Sequence, residues 1–351
     1  MLTAGGSKLV MPFIAATLKP RSLLIATDFS EASDKPLRHA VAIARFYGSR
    51  FCLANVVSSR SLTMVGPGAI AACEEVASRD VARLKDSLIR TGALSGLQHK
   101  FFVRSGEVWP ELREIIRLEN VDLLVLGTHG RQGVAKLFFG SVAEQIFRQA
   151  DCPVLTFGPH SYEHPWVDGS ARDHTFLFAT DFGQSLQGLP HAIATANQFG
   201  AKLVLLSIVP SSLESKSSMD TTGNMEELSE HMRLRVLSRM KELVKNAALD
   251  ISPEFNAEFA SSNQVSEKIL ETAERLHADL IIMGRHESTH PGIGSHLRSA
   301  TAYEVICGAV SPVLTVTSAP ADTEIRFRAE AAKLLVSEAD LIRIKGLGVK
   351  W

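Results

Sequence analysis

The residues best suited to chemistry lie in one stretch, Leu126-Gly127-Thr128-His129-Gly130-Arg131-Gln132-Gly133-Val134-Ala135-Lys136-Leu137-Phe138-Phe139-Gly140-Ser141. It follows an apolar run, Val121 to Leu126, that reads as a buried strand. It precedes Val142-Ala143-Glu144-Gln145-Ile146-Phe147, whose spacing is helical. A glycine turn therefore leaves a strand, a basic loop crosses over, and a Gly-Ser pair opens a helix. Backbone N–H groups at such a helix start have no intrahelical partners and carry partial positive charge. They suit phosphate oxygens, and glycines let the chain come close to them. The plainer alternative is a strand-to-helix loop whose glycines are structural only.

The elements that must position this loop can be read in order. Ser22 to Thr27 is the first apolar strand, left by Asp28-Phe29-Ser30. A helix follows, with Leu37, Ala40, Val41, Ala44 and Arg45 at helical spacing and Gly48 as its stop. Phe51 to Val57 is strand two, and Gly66-Pro67-Gly68 leads into a long helix from Ala69 to Thr91. Lys100 to Arg104 is strand three and Val108 to Leu118 a third helix. Strand four, the glycine loop, a fourth helix and strand five at Pro153 to Phe157 complete the unit. Strands alternating with helices imply right-handed crossovers and a parallel sheet covered on both faces. Ligands in such sheets bind beyond the carboxyl ends of the strands, near the switch in strand order. Asp28 sits just past strand one, Val56 near the end of strand two, and Gly127 to Gly130 past strand four. A carboxylate repels phosphates, so Asp28 belongs on the base and ribose side, flanked by Ala26 and Thr27. The alternative for Asp28 is an N-cap on helix one, a role compatible with ligand contact.

After a polar linker, His160 to Asp173, the pattern restarts. Phe176-Leu177-Phe178-Ala179-Thr180-Asp181-Phe182 repeats Leu23-Leu24-Ile25-Ala26-Thr27-Asp28-Phe29, and His191-Ala192-Ile193-Ala194 repeats His39-Ala40-Val41-Ala42. Ala278 to Gly284 repeats Val121 to Gly127, and Ser311-Pro312-Val313-Leu314 repeats Cys152-Pro153-Val154-Leu155. The chain is a duplication. The fold expected is α/β, two tandem open parallel five-stranded sheets flanked by helices and packed as a pseudo-dimer, because a long unpaired sheet edge invites pairing. The copies span 22–157 and 174–318, and 321–351 is a tail with one helical apolar face.

The spacing G-x-x-G, nine residues, then G-S, with Asp28 upstream and Cys152-Pro153-Val154-Leu155 downstream, resembles the universal stress protein family. The motif is similar to that of its ATP-binding branch. The resemblance implies a Rossmann-like fold, ATP as ligand, with or without magnesium, and association through strand five, here Val154 to Phe157 and Val313 to Val316. It implies that Asp28 contacts the nucleoside and that Val56 gives apolar contact to the adenine. Gly130, Gly140, Ser141 and Val142 then hold phosphates through backbone N–H groups and the serine hydroxyl, beside Leu126 and Gly127. His129 and Arg131 add charge there, or else bond local backbone and solvent.

Copy two departs from this pattern. Asp181 is kept and Gly284 matches Gly127, but Glu287 stands where copy one has Gly130. The Gly140-Ser141 positions hold Ser299-Ala300, or else Gly294-Ser295 opens a longer helix after a shorter loop. Glutamate near a triphosphate is unfavourable, so the second site is expected to be damaged. His286, His290 and His296 do not make a metal site: only the first two have helical spacing, and Pro291 follows at once.

Composition narrows the remaining classes. The 351 residues are 45% hydrophobic and 21% charged, enough for a sizeable core. A net charge of −1 argues against bulk electrostatic binding to nucleic acid or an anionic membrane. No run of about 18 apolar residues suggests a membrane span. Leu9 to Leu18 is interrupted by Pro12 and reads as a loose arm rather than a signal peptide. Cys52, Cys73, Cys152 and Cys307 form no C-x-x-C pair, which fits a reducing cytoplasm. There is no G-x-x-x-x-G-K-[ST] loop, no S-G-G-x-D-S loop and no H-I-G-H motif, which speaks against a dedicated enzyme. The function expected is a non-catalytic, ATP-binding regulator of stress adaptation. Its partners are ATP, the chain's own second copy, a further protein and, beyond the pseudo-dimer, a homodimer. A slow ATPase on the same site and a dimerising module without nucleotide are the alternatives.

Overall fold

Apolar runs such as Leu23-Leu24-Ile25 and Leu123-Leu124-Val125 are wholly buried, because helices cover the strands on both faces. The computed structural model describes residues 19–58, 67–128, 141–162, 167, 173–180, 188–210, 233–242, 244, 253–260, 264–284 and 293–316. The N-terminal arm and the C-terminal tail lie outside them. Copy one contains β1 (Ser22–Ala26), a 3-10 turn (Glu31–Ser33), α1 (Asp34–Tyr47), β2 (Arg50–Ser58), α2 (Pro67–Arg90) and β3 (His99–Gly106). It continues with α3 (Val108–Leu118), β4 (Leu123–Gly127), α4 (Ser141–Gln149) and β5 (Val154–Phe157). Copy two contains β6 (Thr175–Thr180), α5 (Leu189–Phe199), β7 (Lys202–Pro210), α6 (233–242) and β8 (Glu254–Ala260). It ends with α7 (Val265–Arg275), β9 (Leu280–Gly284), α8 (Ile293–Gly308) and β10 (Val313–Val316).

Of the boundaries that differ from the sequence reading, two have identifiable reasons. Pro67-Gly68, read as loop, forms the start of α2. Proline is at home in a first helical turn, where its missing N–H would have no partner anyway. Strand β3 runs longer than its apolar residues because its backbone pairs with β2 throughout, from His99 opposite Phe51 to Gly106 opposite Ser58.

The ten strands form one sheet in the order β3-β2-β1-β4-β5-β10-β9-β6-β7-β8. Pairing is parallel within each copy and antiparallel only where β5 meets β10. There Leu155 faces Leu314, with Val154 opposite Thr315 and Thr156 opposite Val313. Thr156 Oγ1 donates to the Val313 carbonyl at 3.0 Å, and Thr315 Oγ1 donates to the Val154 carbonyl at 3.3 Å. The contact is self-complementary, as a two-fold interface requires. It also removes one exposed edge from each half-sheet.

Helices close the same junction on both faces. On one, α1 meets α5: Phe46 stacks on Phe199 at 5.1 Å, and Tyr47 meets the same ring edge-on at 6.2 Å. The core beneath them runs without a break from Leu23 and Phe51 through Phe157 to Phe176 and Val316. On the other face the two copies keep separate cores. They are bridged by Phe147 of α4, which packs into the copy-two core beside Tyr303 of α8 at 5.0 Å. Arg148 Nε donates to the Tyr303 hydroxyl at 3.1 Å.

Candidate functional site

In copy one the strand order turns at β1 and β4. The chain steps outward from β1 to β2 and β3, then returns to lay β4 on the other side of β1. The carboxyl ends of these neighbours therefore diverge into helices on opposite faces, which opens a crevice between them. Ala26 ends β1, opposite Ala54 of β2. Val56 lies one turn of the pleat farther along β2, partly exposed and paired with Arg104. Leu126 and Gly127 end β4, with Leu126 only 4% exposed and Gly127 paired with Phe157 of β5.

The turn after β1 is held by several bonds. Thr27 N–H donates to the Ala54 carbonyl at 3.0 Å, and the Asn55 amide donates to the Thr27 carbonyl at 2.8 Å. Thr27 Oγ1 accepts from the Phe29 N–H at 3.0 Å. Asp28 Oδ1 accepts from the Ser30 N–H at 3.0 Å, the Ser30 hydroxyl at 2.7 Å and the Ser33 hydroxyl at 2.9 Å. Between them Phe29 adopts φ 60°, a region a bulky residue rarely enters. Asp28 is not the N-cap of the first helix, one of the two roles its position allowed. Helix α1 begins at Asp34 and its N-cap is Ser33. The carboxylate organises the turn ahead of the helix instead.

Gly127 has a packing reason to be glycine. A Cβ there would lie 3.1 Å from the Ala32 carbonyl oxygen and 3.4 Å from Pro36 Cγ, so the post-β1 turn rests directly on the end of β4. Copy two makes the same approach: a Cβ on Gly188, at the start of α5, would come within 3.1 Å of Gly284 Cα. Next to Gly127, buried Thr128 donates its N–H to the Phe157 carbonyl at 3.0 Å and so ties the loop's first residue to β5.

Ser141 is the first residue of α4, and Val142 beside it is 37% exposed. His129, Gly130, Arg131 and Gly140 lie outside the described residues, as do Asp181 and Glu287 of copy two. In copy two α8 opens at Ile293, so Gly294-Ser295 falls in its first turn. Of the two alignments the sequence allowed, the backbone shows the longer helix after the shorter loop. Among the described residues no cluster of histidine, cysteine, aspartate or glutamate is arranged to hold a metal, and no helix is long and apolar enough to cross a membrane.

Some residues near this edge carried little signal in sequence. Asn55 is only 7% exposed within an otherwise apolar strand, and that misplaced amide was the available clue. Ser30 and Ser33 belong to none of the motifs in the sequence. Lys35, at the start of α1, donates to the carbonyls of Pro159 at 3.3 Å and Ser161 at 3.0 Å. His39 is buried against Phe157, with ring centroids 4.4 Å apart. Together they fasten the chain where it leaves β5.

Comparison with known proteins agrees with this architecture. The profile of the universal stress protein family matches residues 20–157 and again 174–317. Universal stress protein MJ0531 of Methanocaldococcus jannaschii is 26% identical over 136 residues, covering 38% of this chain and 80% of that protein. Universal stress protein Sll1388 of Synechocystis is 26% identical over 147 residues, covering 38% of this chain and 94% of that protein. Among solved structures, a universal stress protein from Archaeoglobus fulgidus superposes with a TM-score of 0.59 at 19% identity, over 86% of this chain and 97% of its own. A functionally unknown protein, PA1789, from Pseudomonas aeruginosa gives 0.55 at 19% identity, over 90% and 98%. These two support the fold alone. The double profile match, on a chain whose halves repeat each other in sequence and in topology, decides the family: the chain belongs to the universal stress proteins, as a tandem of two such units in one polypeptide.

Proposed function

We propose that copy one binds ATP, with or without magnesium, and that the chain is a non-catalytic regulator whose state depends on that nucleotide. One observation carries this reading. Ala26-Thr27-Asp28 and Leu126-Gly127 end on adjacent strands at the topological switch, with Val56 on the next strand. An ionised carboxylate is acceptor-only, so Asp28 fits the donor-bearing nucleoside better than phosphate. The apolar ends of β1 and β2 suit a base. The start of α4, at Ser141 and Val142, supplies N–H groups free of intrahelical partners for phosphate oxygens, in the sense expected of Gly140, Gly130 and the loop cations His129 and Arg131.

The reading is tested by acid extraction of the purified protein and mass spectrometry for bound nucleotide, followed by calorimetric titration with ATP. Bound or titrating ATP, lost in Asp28→Ala, supports it. A wild-type protein that neither carries nor binds nucleotide refutes it and leaves the dimerising module as the better description.

A further inference from the structure

The internal repeat reaches upstream of the strands that open the two copies. Met11-Pro12-Phe13-Ile14 repeats His164-Pro165-Trp166-Val167: a proline, a large aromatic and a β-branched residue in a row. Val167 stands eight residues before Thr175, and Ile14 eight residues before Ser22. The two strand starts are equivalent in space, since Ser22 N–H donates to Asp122 at 3.0 Å just as Thr175 N–H donates to Asp279 at 3.0 Å. In copy two this leading segment is packed down. Val167 is buried in the core that runs beneath α1 and α5, and buried His174 meets the Phe199 ring edge-on at 6.3 Å. Copy one is open at the matching places. Arg21, the counterpart of His174, has an almost wholly exposed side chain. The left-handed glycines Gly48 and Gly200 that end α1 and α5 align Phe46 with Gln198. The Gln198 amide oxygen is buried, whereas Phe46 is 49% exposed. A polar group covered where its aromatic counterpart stands open reverses the ordinary preference.

We propose that the exposed seam at the end of α1 is the docking surface for the N-terminal arm, residues 9–18, with Met11-Pro12-Phe13-Ile14 packed over Phe46 as its repeat is packed on copy two. The root of the arm is already there. Pro20 is buried, its carbonyl accepts from the Ser49 hydroxyl, and the Arg21 carbonyl accepts from the Arg50 N–H at 2.8 Å. Ser49 lies three residues after Phe46, so the chain enters β1 beside the open ring. Six residues lead from Ile14 to Pro20, and extended chain of that length spans up to about 20 Å. The ring is only one helical turn from Ser49, about 5.4 Å along α1. Leu9 to Leu18 contains no charged residue, which suits an apolar seat. The C-terminal tail also has an apolar face, but nothing in the repeat assigns it a place. Because Phe46 stacks on Phe199, an arm seated on it also covers the junction between the copies.

The test is hydroxyl-radical footprinting of the full chain, with labelling of the Phe46 side chain read by mass spectrometry. Labelling should rise about threefold or more in Ile14→Asp, because a carboxylate resists burial in an apolar seat. Ile14→Val, which writes the copy-two residue into the arm, should keep the wild-type level. So should Gly5→Asp, which puts the same charge outside the repeated motif. Hydrogen exchange of the amides of residues 42–47 should quicken in Ile14→Asp and not in Gly5→Asp. Tyr162, half-exposed beyond the carboxyl end of β5, reports the integrity of the fold and should label equally in all variants. Equal labelling of Phe46 in the wild type and Ile14→Asp overturns the proposal. An equal rise at Tyr162 overturns it too, because it reports general loosening. A rise in Leu334→Asp with none in Ile14→Asp gives the seat to the C-terminal tail. Wild-type protection that disappears on dilution gives it to a second copy of the chain. Either result overturns docking of the arm.

Discussion

At the scale of single residues, the two motif glycines that end β4 and open α4 are expected to behave differently. Gly127→Ala pushes a Cβ against the Ala32 carbonyl at 3.1 Å, a packing fault expected to cost about 1–2 kcal/mol of stability. Gly140→Val is expected to abolish ATP titration while leaving the melting temperature of the ligand-free protein nearly unchanged. A large drop in that melting temperature would mean the second glycine is structural as well. Burial lowers the pKa of His191, the copy-two counterpart of His39. Its ordinary value is about 6.5. The folded state therefore binds a proton less readily than the unfolded chain, so stability is full above that value and falls as pH drops through and below it. Denaturant melts at pH 7.5 and 5.5 should show the loss, and His191→Gln should flatten that part of the profile. Cys52 is fully buried and its thiol is pushed up to about 11, first by burial. It is a packing residue, as the apolar strand around it implied.

Among elements, the decisive contacts are those where α8 and α4 reach across the junction. Gly158 follows β5 directly, and a Cβ there would collide with the Ile306 carbonyl near the end of α8. That oxygen belongs to backbone and cannot swing aside. Gly158→Val should therefore lower stability by roughly 1–3 kcal/mol through the junction, visible as a lower thermal midpoint. An unchanged midpoint would show that the end of α8 yields easily. The pairing of α4 with α8 through Phe147, Arg148 and Tyr303 also means that the two helices opening with Gly-Ser pairs share a contact near their other ends.

For the whole molecule, the sheet is continuous but its two loop edges are not equivalent. Because β5 and β10 run antiparallel, the carboxyl edge of copy one lies opposite to that of copy two. The two candidate crevices therefore face opposite ends of the ten-stranded sheet. Titration of the intact chain with ATP is expected to saturate near one equivalent, at copy one. Glu287 adds charge where copy one has Gly130, and a side chain where a close backbone approach is needed. About 1.4 kcal/mol is enough for a tenfold loss. The onset of α8 at Ile293 keeps Gly294-Ser295 at a helix start, which suits a smaller anion. Two equivalents, or binding lost in Asp181→Ala but kept in Asp28→Ala, would reassign the site.

The order of strands and helices and the duplication were legible in sequence, because they depend on local periodicity; that the copies pack together followed from an unpaired sheet edge, and the choice of Val154–Phe157 and Val313–Val316 from the family resemblance. Also legible was the grouping of Ala26, Asp28, Val56, Leu126 and Gly127 at one sheet edge, since strand ends follow from strand order. The length of β3 and the entry of Pro67 into α2 were not, because strand pairing and helix initiation overrode composition there. Nor could sequence choose between the two alignments of Gly294-Ser295, a choice made by where the helix actually starts. Sequence left Asp28 a helix cap, a ligand group or both. Only the folded turn shows Ser33 at the cap position with its hydroxyl spent on Asp28, because hydrogen-bond direction depends on backbone angles such as φ 60° at Phe29, which no residue type encodes.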